Sequence, residues 1–152
     1  MIRVSGLKVK PIIKKTLKKE LGHMKAELTP FYDQNGKAVD RVIALFFESP
    51  ASYTGEDTLE ISCHGSTAGV DEILSSLYQQ GARPANAGEF TRRAFLNDKL
   101  DLTQAEAVAD LIQSTSIEVA RAAQNSLEGV FSKKVFAILD SLVELRSIVE
   151  AS

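Results

Sequence analysis

Between Thr58 and His64 the sequence alternates, and the polar members of the alternation are a carboxylate, a hydroxyl and an imidazole: Glu60, Ser62 and His64. Successive side chains of a strand point to opposite faces, so these three share one row while Leu59, Ile61 and Cys63 share the other. Such a row is either a solvated face or the wall of a pocket. The alternation by itself favours the solvated face, because half-exposed strands are common. Cys63, the single cysteine, reads as a small buried hydrophobe on the apolar row. It cannot serve as a nucleophile with His64 as its base, since neighbours in a regular strand point apart. One cysteine excludes an internal disulfide, and with only His23 and His64 beside it a Cys/His zinc site within one chain is not expected. A reducing, cytoplasmic setting fits this usage. The chain has no Gly-x-x-x-x-Gly-Lys-Ser/Thr phosphate loop, no Gly-x-Gly-x-x-Gly fingerprint, no Gly-x-Ser-x-Gly elbow and no His-Glu-x-x-His.

A second feature with chemical meaning is the distribution of charge. The formal net charge is −2. Residues 1–25 hold eight Lys/Arg (Arg3, Lys8, Lys10, Lys14, Lys15, Lys18, Lys19 and Lys25) against Glu20 alone, a net +7; the rest holds ten against nineteen acids, a net −9. A basic segment on an acidic body could meet RNA phosphates. A solvated helix face is the simpler reading, and no aromatic is interleaved with these lysines to stack a base.

These residues must be carried by definite elements. The 152 residues make one domain, or one domain with a further piece attached, and 44% hydrophobic with 25% charged residues is a soluble globular balance. No apolar run is long enough for a membrane span, and the N-terminus has no signal-peptide layout. Residues 1–5 read as a strand beginning almost at Met1, which suggests that a segment belongs upstream. Residues 7–21 read as a helix with Val9, Ile12, Ile13, Leu17 and Leu21 at helical spacing, Pro11 falling in its first turn. Residues 24–32 and 38–48 are predicted strands, joined as a hairpin by Asp33-Gln34-Asn35-Gly36. The second is apolar at consecutive positions from Val42 to Phe46, which predicts a central strand covered on both sides. Ser49 to Asp57 is a loop. Residues 67–80 read as a helix closed by Gly81, and Glu89 to Leu96 as another, with Phe90, Ala94 and Phe95 inward and Arg92 and Arg93 outward.

Beyond residue 100 there is no Pro and one Gly, Gly129. Thr103-Gln104-Ala105-Glu106 reads as a capping box. The helix it opens runs to about Ser114, and the pattern leaves open whether it breaks there or continues. A last helix is predicted over 131–151, its stripe of Phe131, Val135, Ile138, Leu142, Leu145 and Val149 too long for two helices to bury. Further helices or a second chain are expected to cover it. Residue types and spacing alone reach an α+β domain followed by helices.

Particular strings go further. Tyr53-Thr54-Gly55-Glu56-Asp57-x-Leu59-Glu60, then His64-Gly65, then Gly88-Glu89-Phe90-Thr91-x-Arg93-Ala94-Phe95-Leu96-Asn97-Asp98-Lys99-Leu100-Asp101-Leu102 and Gln104-Ala105-Glu106-Ala107-Val108-x-Asp110-Leu111-Ile112 resemble the bacterial tRNA-modification GTPase family MnmE, also called TrmE and formerly thiophene and furan oxidation protein. Arg3-Val4-Ser5-Gly6 resembles the family's first motif. The match runs through essentially the whole chain.

The resemblance implies that residues 1–100 are an α+β domain like the tetrahydrofolate-binding domain of the glycine-cleavage T-protein, missing its first Gly- and Pro-rich segment. Residues 101–152 would begin the central helical domain. The GTP-binding domain, with its GTP, magnesium and potassium, and the C-terminal cysteine motif would both lie beyond Ser152. The implied function is modification of the tRNA wobble uridine at carbon 5, together with the flavoprotein MnmG (GidA). The one-carbon unit would come from a tetrahydrofolate derivative, 5-formyl or 5,10-methylene. The first domain would bind the folate and form the homodimer.

Three folate-contact positions of the family map onto Arg3, Glu60 and Lys99, and a fourth has no counterpart. The residue types suit the ligand. A pterin edge presents adjacent N–H donors that one carboxylate accepts as a fork, which suits Glu60, while Arg3 or Lys99 answers the carboxylates of the folate tail. Two departures bear on pocket geometry. Asn86-Ala87-Gly88 replaces the family's Arg-Pro-Gly, and Ser66 follows His64-Gly65 where the family has a second glycine, so Ser66 is strained if that position has positive φ. The alternative to a folate-binding module is a dimerisation and docking module whose pocket has lost its start.

Overall fold

The computed structural model describes residues 1–151. They form two compact units, Met1–Asn97 and the chain from Asp98 on, and each is considered by itself. The first is α+β. In chain order it holds β1 (Ile2–Ser5), α1 (Val9–Leu17), β2 (Ala26–Tyr32), β3 (Ala38–Phe47), β4 (Thr58–Ser62), α2 (Thr67–Gln79) and α3 (Glu89–Leu96). The sheet is antiparallel throughout, in the order β1-β4-β3-β2.

The β2–β3 hairpin closes as its turn residues require. Asp33 accepts the Lys37 amide on its side chain at 2.7 Å, and Gly36 takes φ +77°, a conformation a Cβ would disfavour. α1 stops four residues earlier than its apolar spacing predicts, because Lys18 turns left-handed at φ 54°; Leu21 still packs on the core from outside the helix. One face of the sheet carries that core. Val9, Ile12, Ile13 and Leu17 of α1 and Ile73 and Leu77 of α2 close over Phe31, Val42, Ala44, Phe46, Leu59 and Ile61.

β3 lies inside the sheet but is not covered on both sides. Val42, Ala44 and Phe46 are buried, whereas Ile43, on the alternate face, is 50% exposed and stands opposite the equally open Leu28. The second face is covered only in part, Leu45 and Phe47 being half-buried on it while Ile43 is open.

The second unit holds α4 (Leu102–Gln113), α5 (Ile117–Leu127) and α6 (Val130–Glu150). The N-cap of α4 lies two residues before the predicted one. Asp101 is the N-cap, accepting the Gln104 amide at 2.8 Å while the Gln104 side chain accepts the Asp101 amide at 2.9 Å. The open question at Ser114–Ser116 resolves as a break, with Ser116 capping α5 through the Val119 amide. Gly129 turns left-handed at φ +79° between α5 and α6. Among the described residues no helix is long and apolar enough to cross a membrane.

Candidate functional site

Register places the first two residues of the site. Arg3 on β1 is the direct partner of Glu60 on β4, so their side chains leave the sheet on one face as neighbours. Arg3 Nε and Nη2 both reach Glu60 Oε1, at 2.8 and 2.6 Å. The pair is half-buried, with side-chain exposures of 32% and 20%. The Arg3 guanidinium also lies 5.7 Å from the ring centroids of both Tyr53 and Phe90, within cation–π range. Tyr53 comes from the loop before β4 and Phe90 from the first turn of α3.

The two rings are held by a polar network. Glu56 accepts from Ser5 Oγ at 3.0 Å and from Arg93 Nη1 at 2.9 Å, joining β1, the loop and α3. Ser5 Oγ also meets the fully buried Thr54 hydroxyl at 2.6 Å, and Asn97 donates to the Thr54 carbonyl at 2.7 Å. The Tyr53 hydroxyl lies 3.0 Å from that of Thr91. Glu89 receives Arg83, the Asn86 amide and Arg93, and these bonds hold its carboxyl far below the usual carboxylate range. Arg93 is therefore not an outward residue as its helical position suggested. It spans Glu56 and Glu89, while Phe95, expected inward, is exposed.

Neither departure in the motifs strains the backbone. Ser66 has φ −70° and caps α2 through the Gly69 amide, so the feared positive φ does not arise. The turn without its proline is closed by Glu89, whose amide donates to the Asn86 carbonyl at 3.0 Å while its side chain accepts from the Asn86 amide.

Arg3 lines a cavity of about 340 Å³ at the β1 edge of the sheet, together with Leu77, Tyr78, Arg83, Phe90 and Arg93. Glu60 does not line it. The structure thus brings Arg3 and Glu60 together, whereas Lys99 falls in the second unit, exposed in the turn before α4. The row Glu60, Ser62, His64 is not continuous: β4 ends at Ser62, and Asp40 takes the His64 amide and ring Nδ1 at 2.9 and 2.8 Å. Sequence reasoning missed Ser5, Thr54, Glu56 and Arg93 as a group. Their signal was polar residues scattered over β1, the loop before β4 and α3, which only the fold joins.

The site suits a flat, nitrogen-rich ring with an anionic tail. Glu60 has one carboxylate oxygen engaged by Arg3, and the other has no hydrogen bond among the described residues. Two aromatic rings and two further arginines stand nearby.

The family model described as GTP-binding protein TrmE N-terminus matches residues 1–99, and that described as MnmE helical domain matches residues 102–152. The chain belongs to the MnmE (TrmE) family. It is similar to the tRNA modification GTPase MnmE of Dichelobacter nodosus, 52% identical over 153 residues that span all of this chain and 34% of that protein. Against the protein of the same name from Blochmanniella pennsylvanica identity is 48%, over the whole chain and 33% of the relative; against that of Vibrio cholerae serotype O1 it is 46%, over the whole chain and 34%. The chain spans about a third of the length of these relatives. The family motifs lie where the geometry is densest. Arg3 and Ser5 come from the string 3–6, Tyr53, Glu56 and Glu60 from 53–60, and Glu89, Phe90 and Arg93 from the string that opens at Gly88.

Proposed function

We propose that this chain serves in the modification of the wobble uridine of tRNA at carbon 5, as the folate-binding and dimerising part of a GTPase of the MnmE type. Membership of the family carries the assignment to tRNA modification. The observation that supports folate is the half-buried Arg3–Glu60 pair flanked by Tyr53 and Phe90. When bound, the folate supplies the one-carbon unit, as a 5-formyl or 5,10-methylene derivative. The chain's own residues bind and orient it. The free oxygen of Glu60 accepts a ring N–H donor beside the Arg3 guanidinium that engages the other oxygen, and Lys99 receives the tail carboxylates. GTP, magnesium and potassium belong to another domain of the family, since this sequence has no loop to cradle a nucleotide. The partner in the modification is the flavoprotein MnmG, and the setting is cytoplasmic.

Calorimetric titration of 5-formyltetrahydrofolate into the chain tests the reading, with saturable binding expected. Absence of heat would leave a dimerisation and docking module. That second reading is favoured by the open apolar sheet face at Leu28 and Ile43. The purified chain is also expected to release no phosphate from GTP.

A further inference from the structure

We propose that the exposed face of α1 is a docking track for the phosphate backbone of RNA, reading the lysines of its C-terminal half. Identifying the polyanion as RNA rests on the tRNA-modification reading above; the surface itself rests on the charge and geometry of α1. With Val9, Ile12, Ile13, Thr16 and Leu17 buried, every remaining position from Lys8 to Lys18 is exposed, and except for Pro11 each of these is a lysine: Lys8, Lys10, Lys14, Lys15 and Lys18.

Helix physics accounts for only part of this pattern. Cations near the C-terminal end complement the helix dipole, which suits Lys14, Lys15 and Lys18. Lys8 is the N-cap and Lys10 stands in the first turn, where the dipole disfavours cations; that turn contains no acidic residue and Lys8 makes no side-chain cap. Lys10 and Lys14 are like charges at i,i+4 within the helix, a pairing that destabilises it. Only the flanking members are neutralised: Lys10 by Glu48 at 2.6 Å and Lys19 by Glu27. Lys8, Lys14 and Lys15 have no ion-pair partner among the described residues. A helix that breaks local charge rules without local compensation is spending stability on something outside itself.

At the C-terminal end of the track lies a cavity of about 330 Å³, lined by Lys15, Lys18, Tyr32, Ser76 and Gln80 among others. Lys18 Nζ sits 3.8 Å from the Tyr32 ring centroid and donates to the Gly36 carbonyl. The cavity thus brings the Lys15 and Lys18 ammonium groups together, with the Asp33 carboxylate on the same wall accepting the Lys37 amide. The two ammonium groups are donors for phosphate oxygens, contacts that contribute affinity and position without reading sequence.

The test is fluorescence anisotropy of a labelled tRNA transcript at several salt concentrations, with the wild-type chain and Lys14→Gln/Lys15→Gln/Lys18→Gln. Three lost phosphate contacts should lower the slope of log affinity against log salt by about two, and affinity at physiological salt by roughly tenfold or more. The arginine triple Lys14→Arg/Lys15→Arg/Lys18→Arg should keep the wild-type slope, which separates lost charge from lost folding. Arg121→Gln/Lys133→Gln/Lys134→Gln removes the same charge from the second unit and should leave the slope within about half a unit. Equal losses in that triple and the α1 triple, no loss in the α1 triple, or no RNA binding by wild type would overturn the proposal. So would lysine-dependent binding to vesicles of acidic phospholipid that exceeds binding to RNA. Folate titration of the same proteins reports separately: failure there with an intact α1 effect removes the folate reading and leaves the track.

Discussion

α1 and α6 are both amphipathic and were read by the same periodicity, yet they end in opposite states. α1 places Val9, Ile12, Ile13 and Leu17 in the core, each nearly inaccessible to water. α6 buries only Ser132 and leaves Val135, Ile138, Leu142 and Leu145 open. The difference is not in the helices. α1 has a sheet beneath it, whose strands bring residues from three separate stretches under one stripe. α6 has α4 and α5, and α4 and α5 pack more on each other than on α6. A stripe states what a helix can bury; whether it is buried depends on what else the fold supplies.

The sharpest way to break this comparison is a cavity in the first stripe. Ile13→Ala should destabilise the first unit by about 2–5 kcal/mol, measured by urea unfolding. A loss below about 1 kcal/mol would mean that the α1 core is loosely packed and that the two helices differ less than their burial says. Next in size is the polar site on the sheet's other face. Glu60→Gln removes one acceptor and sets a donor against a ring donor, and a charge-assisted bond contributes about 1.5–3 kcal/mol. Folate affinity should therefore fall by about one to two orders of magnitude. Glu56→Gln, which touches the site through Ser5 and Arg93, should cost less. Equal folate affinity in wild type and Glu60→Gln would return Glu60 to the solvated-face reading.

A smaller effect sharpens the contrast through pH. Arg83, the Asn86 amide and Arg93 depress the Glu89 carboxyl in the folded chain. A depressed folded value contributes stability above the unfolded value, and that contribution is lost as pH falls below about 4. Acid titration of thermal stability should therefore be steeper for wild type than for Glu89→Gln below that pH. Parallel curves would show that Glu89 gives the first unit no advantage over the second. The smallest effect belongs to α6. Leu142 is 59% exposed, so Leu142→Gln should change the stability of this chain by no more than about 0.5 kcal/mol. A loss approaching that of Ile13→Ala would reveal a covered stripe, and sedimentation at several concentrations would show whether a second copy covers it.

Much of this molecule was legible as pattern. The hairpin at Asp33–Gly36, the α2 helix ended by Gly81, and the α+β unit followed by helices all follow from turn chemistry and from periods of two and 3.6, which act over a few neighbouring residues. The family was legible too, from strings such as Gly55-Glu56-Asp57 and Gly88-Glu89-Phe90, and so were Arg3 and Glu60 as residues to watch. Tertiary structure alone decided the rest. Arg3 and Glu60 are fifty-seven positions apart and meet because β1 pairs with β4 in one register. Arg93 turned from a solvent-facing helix residue into the tie between Glu56 and Glu89 because α3 lies against the loop. The second face of β3 stayed open at Ile43 although its sequence promised cover. Local propensity is settled by neighbours in the chain. Register, charge pairing and burial are settled by residues far away in it, and the sequence states what each residue can do without stating which distant partner it will meet.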